Sequence, residues 1–278
     1  MELMKPAYMI LACLLALPAV PRATGQIATV PALDEKPLWE LWQFHLASSN
    51  LHDAVAERCA EMAKSTHLYP LTLVAEGLGA WHLLKAEKQD EAVKLLDKLA
   101  AQPASGPSLP VAAANLGKGW LTRIDRERVR AALQAHYRQE VQYPDNLEPL
   151  QKLPAEVRPP ARDRYNKLWS YRIVNFKKLR GFQNQKYELS SNTLGARSDL
   201  KTELARPYGD AIRLKPVRIM SATPGRETIT FERTVGDKTE TVHLSVGSKI
   251  DDIEFAYLGP RLLILGDGSH WMIMPRPR

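Results

Sequence analysis

The chain reads as an α+β protein with helical hairpins on its N-terminal side, a central helix feeding a small antiparallel sheet, and a small β domain at its C-terminal end. Three observations predict this. Apolar residues recur at 3.6-residue spacing in two units between residues 34 and 102. The stretch from Arg123 to Val174 joins a helical pattern to a Tyr-Pro-Asp turn, a Pro-broken connector and an aromatic strand. From residue 211 to 275 the period becomes two, with turn residues between the alternating runs.

Met1 to Pro6 carries Lys5 and is followed by the apolar run Ala7 to Val20, too short for a confident membrane span. Pro18 and Pro21 break the run, and Ala23-Thr24-Gly25 supplies small residues, so residues 1–25 read as a signal peptide with cleavage before Gln26. That places the chain in a periplasm or outside the cell. An uncleaved anchor, or a lipoprotein modified at Cys13, are the other readings of the segment. With the leader removed Cys59 is the one cysteine left, so no intramolecular disulfide forms. Its place between Val55 and Met62 on a helical face makes it a small core residue, or else a reactive or dimerising thiol.

Asp34 stands where a helix N-cap belongs, and Leu38, Leu41, Trp42 and Leu46 follow at helical spacing until Ser48-Ser49-Asn50 ends the helix. A second helix from Leu51 carries Ala54, Val55, Cys59 and Met62. The plan recurs in Leu71 to Ala86 and Asp90 to Ala101, at an offset of 38 residues that superposes Ala54 on Ala92. Pro103 to Pro110, with three prolines, a glycine and two serines, reads as a linker, and 111–121 as a short helix before Asp125 caps the next one. Val129, Leu133, His136 and Tyr137 continue that helix. Tyr143-Pro144-Asp145-Asn146 turns the chain, Leu147 and Leu150 drop onto a core, and Trp169 to Val174 alternates as a strand. Residues 190–206 are polar and carry no clear period. Beyond 211, Thr228–Val235 with Thr239–Val246, and 262–265 with 270–273, form two hairpins of a small sheet or half-open barrel.

Three segments resemble known families. Leu78 to Pro103 is similar to a tetratricopeptide repeat, with Leu78-Gly79, the small Ala92 where paired helices cross and a closing Pro103. The resemblance implies stacked hairpins with a peptide-binding groove; an ordinary helical bundle is the alternative. Residues 123–174, through a helix ending in Tyr137, YPDNLEPL, a Pro-rich gap and DRYNKLWSYR, resemble the globular part of type II secretion major pseudopilins and related pilin-like proteins. That implies a pilin-like module over 111–206. Met1 to Leu17 carries none of the pilin processing signal, and no dense Asp cluster follows Tyr187 where pseudopilins hold calcium. The resemblance therefore implies a pilin-like module inside an exported adaptor. VGSKIDDIEFAYLGPRLLILGDGSHWMIM looks like the periplasmic homology-region domain of type II secretion and type IV pilus inner-membrane components.

The net charge of +7 is uneven: residues 152–218 hold sixteen Lys or Arg against six Asp or Glu. An exported protein does not meet nucleic acid as its normal ligand, so this segment faces phospholipid headgroups, an anionic glycan or an acidic partner, or is a solvated basic face. Candidate partner-binding residues are Arg162, Arg164, Lys167, Lys177, Lys178 and Arg180 here, with Trp39, Trp42 and Trp81, whose stripe lines a groove or fills the core.

No catalytic, cofactor or metal residue is assigned. The seven histidines form no HExxH or paired-ligand spacing on one element, His45 and His52 being separated by the Ser-Ser-Asn break. Asp251, Asp252, Glu254 and Asp267 gather around a cation or form a solvated acidic turn. Gly-x-Ser-x-Gly, P-loop and Rossmann signatures are missing, so the expectation is a non-enzymatic interaction protein supporting a pilus-like or type II secretion-like envelope assembly. The alternative is a secreted or surface binder of anionic polymer through residues 152–218.

Overall fold

In the computed structural model, residues 33–175, 185–210, 212–221, 227–235 and 238–278 are described. The leader, and Lys177, Lys178 and Arg180 of the basic segment, lie outside these residues.

Four helices, α1 (Lys36–Ala47), α2 (His52–Ala63), α3 (Thr72–Lys85) and α4 (Gln89–Ala100), form the two hairpins read from the periodicity. Asp34 acts one residue outside the expected cap: its Oδ1 accepts a hydrogen bond from Lys36 N at 3.1 Å, while the N-cap position falls to Glu35. The Glu35 carboxylate is taken elsewhere, by Tyr257 Oη, Arg261 N and Leu262 N, which ties the start of α1 to the C-terminal strands. Helix α3 is buried from Thr72 to Leu84, on every face. An all-round apolar helix is what the centre of a helical layer requires. At Gly79 it lies so close to α2 that a Cβ would stand 2.9 Å from the Cβ of Cys59.

Residues 103–107 form the first part of the expected linker, but its last three residues and the short helix expected over 111–121 belong to one helix, α5 (Ser108–Glu140), of 33 residues. Pro110 is its third residue, where a backbone N–H has no intrahelical acceptor, so the missing donor costs nothing. Asp125 lies in mid-helix and its carboxylate is held by side chains, by Arg164 Nε at 2.6 Å and by Arg128 Nη1 at 3.3 Å. At ~1.5 Å per residue the helix is about 50 Å long and crosses two cores. Ala113, Leu116, Trp120 and Ile124 belong to the core of the helical hairpins. Val129, Ala132 and Leu133 belong to a separate core with Leu150, Trp169 and Leu189.

That second core is roofed by a 3-10 turn at Glu148–Lys152 and by the antiparallel hairpin β1 (Trp169–Asn175) and β2 (Gln185–Ser191), in register from Trp169 opposite Ser191 to Asn175 opposite Gln185. The polar stretch 190–206, unassigned from sequence, holds a 3-10 turn at Ala196–Ser198 and a short helix α6 (Leu200–Ala205), capped by Asp199 Oδ1 accepting from Thr202 N.

The C-terminal strands form two sheets, where a single small sheet or half-open barrel was expected. One has the order β3 (Leu214–Ser221), β4 (Thr228–Val235), β5 (Lys238–Ser245). The other runs β6 (Lys249–Ile250), β7 (Ile253–Leu258), β8 (Leu262–Gly266), β9 (Trp271–Pro275), all antiparallel. Both predicted hairpins are present as β4–β5 and β8–β9. The sheets share a core of Ile229, Phe231, Phe255, Leu263 and Leu265, with the two phenylalanine rings edge to face at 5.7 Å. On β8 the alternate residues Leu262 and Ile264 face the helical core. Buried on both faces, β8 is apolar throughout, as a middle layer demands. The order of layers is helices, four-stranded sheet, three-stranded sheet, and Leu33–Arg278 is one compact unit.

Helices α4 and α5 meet at backbone distance, since a Cβ on Gly117 would lie 2.7 Å from both Ala100 N and Leu96 O. Gly117→Ala is expected to lower unfolding free energy by about 1–3 kcal/mol, because main chain cannot swing aside as a side chain can. Urea unfolding followed by circular dichroism measures this; an unchanged midpoint would refute the close approach.

Candidate functional site

The tryptophan stripe is divided by burial. Trp42 and Trp81 lie in the helical core, which leaves them no face for a partner. Trp39 is half-buried and lines a cleft of about 300 Å³ with Glu35, Arg261, Leu262 and Pro275. Cys59 is buried between α2 and α3, and burial pushes its thiol up to about 12, so it is a core residue without thiolate reactivity at neutral pH.

Around Trp81 the fold assembles what single-element spacing could not reveal. His45 Nδ1 lies 3.0 Å from His82 Nε2, and His82 Nδ1 lies 3.0 Å from His52 Nδ1. The chain of three imidazoles runs from half-buried His52 to fully buried His82 and His45, and the Tyr208 ring then packs between His45, edge to face, and His270, tilted, with centroids at 5.0 and 4.6 Å. A signal existed in the repeat: the 38-residue offset puts positions 45 and 82 within one place of equivalence on successive hairpins.

Burial, and then the neighbouring His270 and His52, lower His45 to about 4. Burial, His45, His52 and Lys85 lower His82 to about 3. His52 is lowered by burial and Lys85, against a smaller opposing pull from Asp53. These bases are depressed in the folded state, so between about pH 6.5 and 4 the unfolded chain binds more protons and folding loses stability as pH falls. Thermal unfolding is expected at progressively lower temperature from pH 7 to pH 5, at ~1.4 kcal/mol for each full pH unit of unmatched protonation per histidine. His82→Gln should flatten that dependence; an equally steep slope in the variant would reject the assignment.

A second polar cluster joins α5 to the C-terminal strands. Arg123 donates from Nε to Arg197 O and from Nη2 to Ser269 Oγ, each at 2.8 Å, while Trp120 Nε1 donates to Ser269 O at 2.8 Å. Glu203 of α6 receives Arg197 Nη2 at 2.7 Å and Arg206 Nη1 at 2.9 Å, and stands 3.5 Å from Arg123. Asp267 accepts from Arg197 and, through Oδ1, from the backbone N–H of Ser269 and His270, which closes the β8–β9 turn. Burial alone would raise the Glu203 carboxyl; the Arg197 hydrogen bond and the Arg123 charge overcome it and hold the group near about 2. Asp267 is held well below the carboxylate range against the same burial by His270 and Arg197. Nothing in the spacing of these residues marked the cluster. The acidic residues 251–267 do not converge on one another: Asp251 pairs with Arg233, Asp252 and Asp267 with Arg197, and Glu254 with Lys249. Glu203→Gln would strand buried arginines and is expected to cost about 3–5 kcal/mol, read as a drop in denaturant midpoint; a near-neutral effect would refute the cluster's role.

The surface candidate is the loop leading into β1. Asp163 organises it, its Oδ1 accepting from Tyr165 N and Lys167 N and its Oδ2 from Ser191 Oγ at 2.6 Å. Asn166 occupies the left-handed region at φ 61°, which Asn tolerates better than most residues. Trp169 Nε1 donates to Pro160 O, and Tyr171 Oη to Pro144 O, so the aromatic strand pins both proline segments. Held this way, the loop turns Arg162, Lys167 and Leu168 outward, and Leu168 is 58% and Val157 60% exposed. Beside them Leu147, Ala161, Trp169 and Tyr171 line a cleft of about 290 Å³. Arg164 is drawn inward to Asp125 and Asp97.

No protein family, curated protein or solved structure matches this chain. Among the described residues no group of three or more His, Cys, Asp or Glu is placed to hold a metal ion, and no helix is long and apolar enough to cross a membrane.

Proposed function

We propose that this protein is a non-enzymatic, exported interaction component of a pilus-like or type II secretion-like envelope assembly, docking its partner on the face around Leu168. The observation that carries this reading is the mixed exposure of the 153–168 loop, where exposed Val157 precedes exposed Arg158, and exposed Leu168 follows Lys167 and bridges to Arg162. Apolar side chains ringed by charge are a protein-recognition pattern. The reading is further supported by an antiparallel hairpin packed on the helix of Leu133, as the pilin-like resemblance implies, and by a leader expected to direct export.

The anionic-polymer alternative draws on the basic segment, but many of its cations are matched internally. Arg164, Arg172, Arg197, Arg206, Arg213 and Lys215 all form ion pairs with Asp or Glu. Such pairs lower the field that a polyanion would feel.

Cross-linking and mass spectrometry on envelope extracts, with wild type and Leu168→Glu compared, tests the reading. Assembly subunits should be recovered with wild type and fall at least about tenfold with the variant, whose circular dichroism should be unchanged. Recovery of glycan alone, abolished by salt, would overturn it.

A further inference from the structure

A cleft of about 270 Å³ opens beside the arginine cluster, lined by Arg123, Tyr165, Arg197, Asp252 and Ser269 among others. Arg123 is only 1% exposed. Its Nε and Nη2 are engaged, but Nη1 is buried without a hydrogen-bond partner, as is Nε of Arg197. A buried guanidinium donor with nothing to receive it costs about 1–3 kcal/mol or more, so natural folds fill such positions with water or ligand.

The protein's own acids do not complete the site. Glu203 is shared among Arg123, Arg197 and Arg206, and Asp267 is taken by Arg197 and the β8–β9 turn. Burial accordingly lowers Arg123 to about 10 despite Glu203 nearby. Gly119 packs against the β8–β9 turn beside the unmet donor: a Cβ there would be 2.9 Å from Gly268 O, 3.2 Å from Arg123 Nη1 and 3.5 Å from Tyr165 Oη. Tyr165 donates its proton to Asn115 O at 3.0 Å, which leaves the phenol oxygen as an acceptor.

The polarity of the cleft then selects the ligand. Its buried end holds unmet cationic N–H donors, whereas Asp252, 79% exposed and 3.6 Å from Arg197 Nη1, presents a carboxylate at the mouth beside Lys249, whose charge is met by Glu254. A phosphate dianion would be repelled by Asp251, Asp252 and Asp267, and a simple cation by Arg123 and Arg197. The cavity is below the usual size for drug-like ligands.

We propose that this cleft binds a small zwitterion, its carboxylate on the Arg123 and Arg197 donors and its ammonium toward Asp252, as in a free amino acid or a dipeptide. The site takes Tyr165 from the loop that carries the docking face but none of that face's exposed residues Val157, Arg158, Arg162, Lys167 and Leu168.

Titration of the purified chain with L-alanine, dialanine, acetate and methylammonium, followed by NMR shifts, tests it. L-alanine or dialanine should saturate, whichever is tighter identifying the free or peptide form, with acetate and methylammonium at least about tenfold weaker. Asp252→Asn, a surface change, should weaken the zwitterion about tenfold without weakening acetate, since Asp252 competes with a bound carboxylate for Arg197. The proposal is overturned if neither zwitterion saturates up to about 50 mM, if acetate binds equally well, or if Asp252→Asn leaves zwitterion affinity unchanged.

Discussion

Arg123 places a full positive charge where the long helix, the α6 segment and the β8–β9 turn meet. Burial disfavours that charge, yet at about 10 it stays ionised at neutral pH. The charge is tolerable only while Glu203 lies 3.5 Å away and while a carbonyl and a hydroxyl receive its Nε and Nη2. Apolar packing is non-directional and would permit the β8–β9 turn to slide along α5. Hydrogen bonds from Trp120 to Ser269 O and from Arg123 to Ser269 Oγ do not, so they fix which turn of the helix the sheet meets. The cluster acts on register more than on net stability.

Once that register is fixed, α5 works as a beam between two cores. Its first half is clamped by α4, by the hairpins and by the four-stranded sheet, and its second half supports the β1–β2 hairpin through Val129, Leu133 and Trp169. Charge reinforces the transition. Arg126 reaches Leu189 O and Asp199, and Arg164 returns from the β1 approach to Asp125 and Asp97. Arg164, which looks like free surface charge in the sequence, is one of the ties that hold the approach to β1 onto the helix.

The sequence disclosed elements whose signal is local. Periodicity found α1 to α4 because each hairpin presents its own apolar face, and turn chemistry found β4–β5 and β8–β9. Helix α5 reads as divided because Pro110 closes a Pro- and Ser-rich run and Asp125 is a residue type that caps helices; in the fold Pro110 falls in the first turn and Asp125 is held in mid-helix by Arg164 and Arg128. The layering of two sheets was hidden because Leu263 and Leu265 differ from Leu262 and Ile264 only in which neighbour they meet. The histidine chain and the Arg123 cluster each unite residues tens of positions apart, and no rule about spacing along one element reaches them. Metal-ligand spacing along one element is blind to these histidines, because the partners of His45, His52 and His82 are one another.

The same distinction bears on the proposed docking face. A residue committed to an internal ion pair has its desolvation largely met and gives little to an incoming surface, whereas a residue held outward by backbone geometry keeps its full capacity. Asp163 spends both carboxylate oxygens on its own loop and on Ser191, and in the loop so held Leu168 stays exposed. An exposed leucine maintained by a buried aspartate costs the free protein hydrophobic stabilisation of the order of 1 kcal/mol or more. On the proposed reading a partner recovers that energy on contact, and the arginines and lysine around it, too few and too dispersed to grip a polymer, set the orientation in which the contact is made.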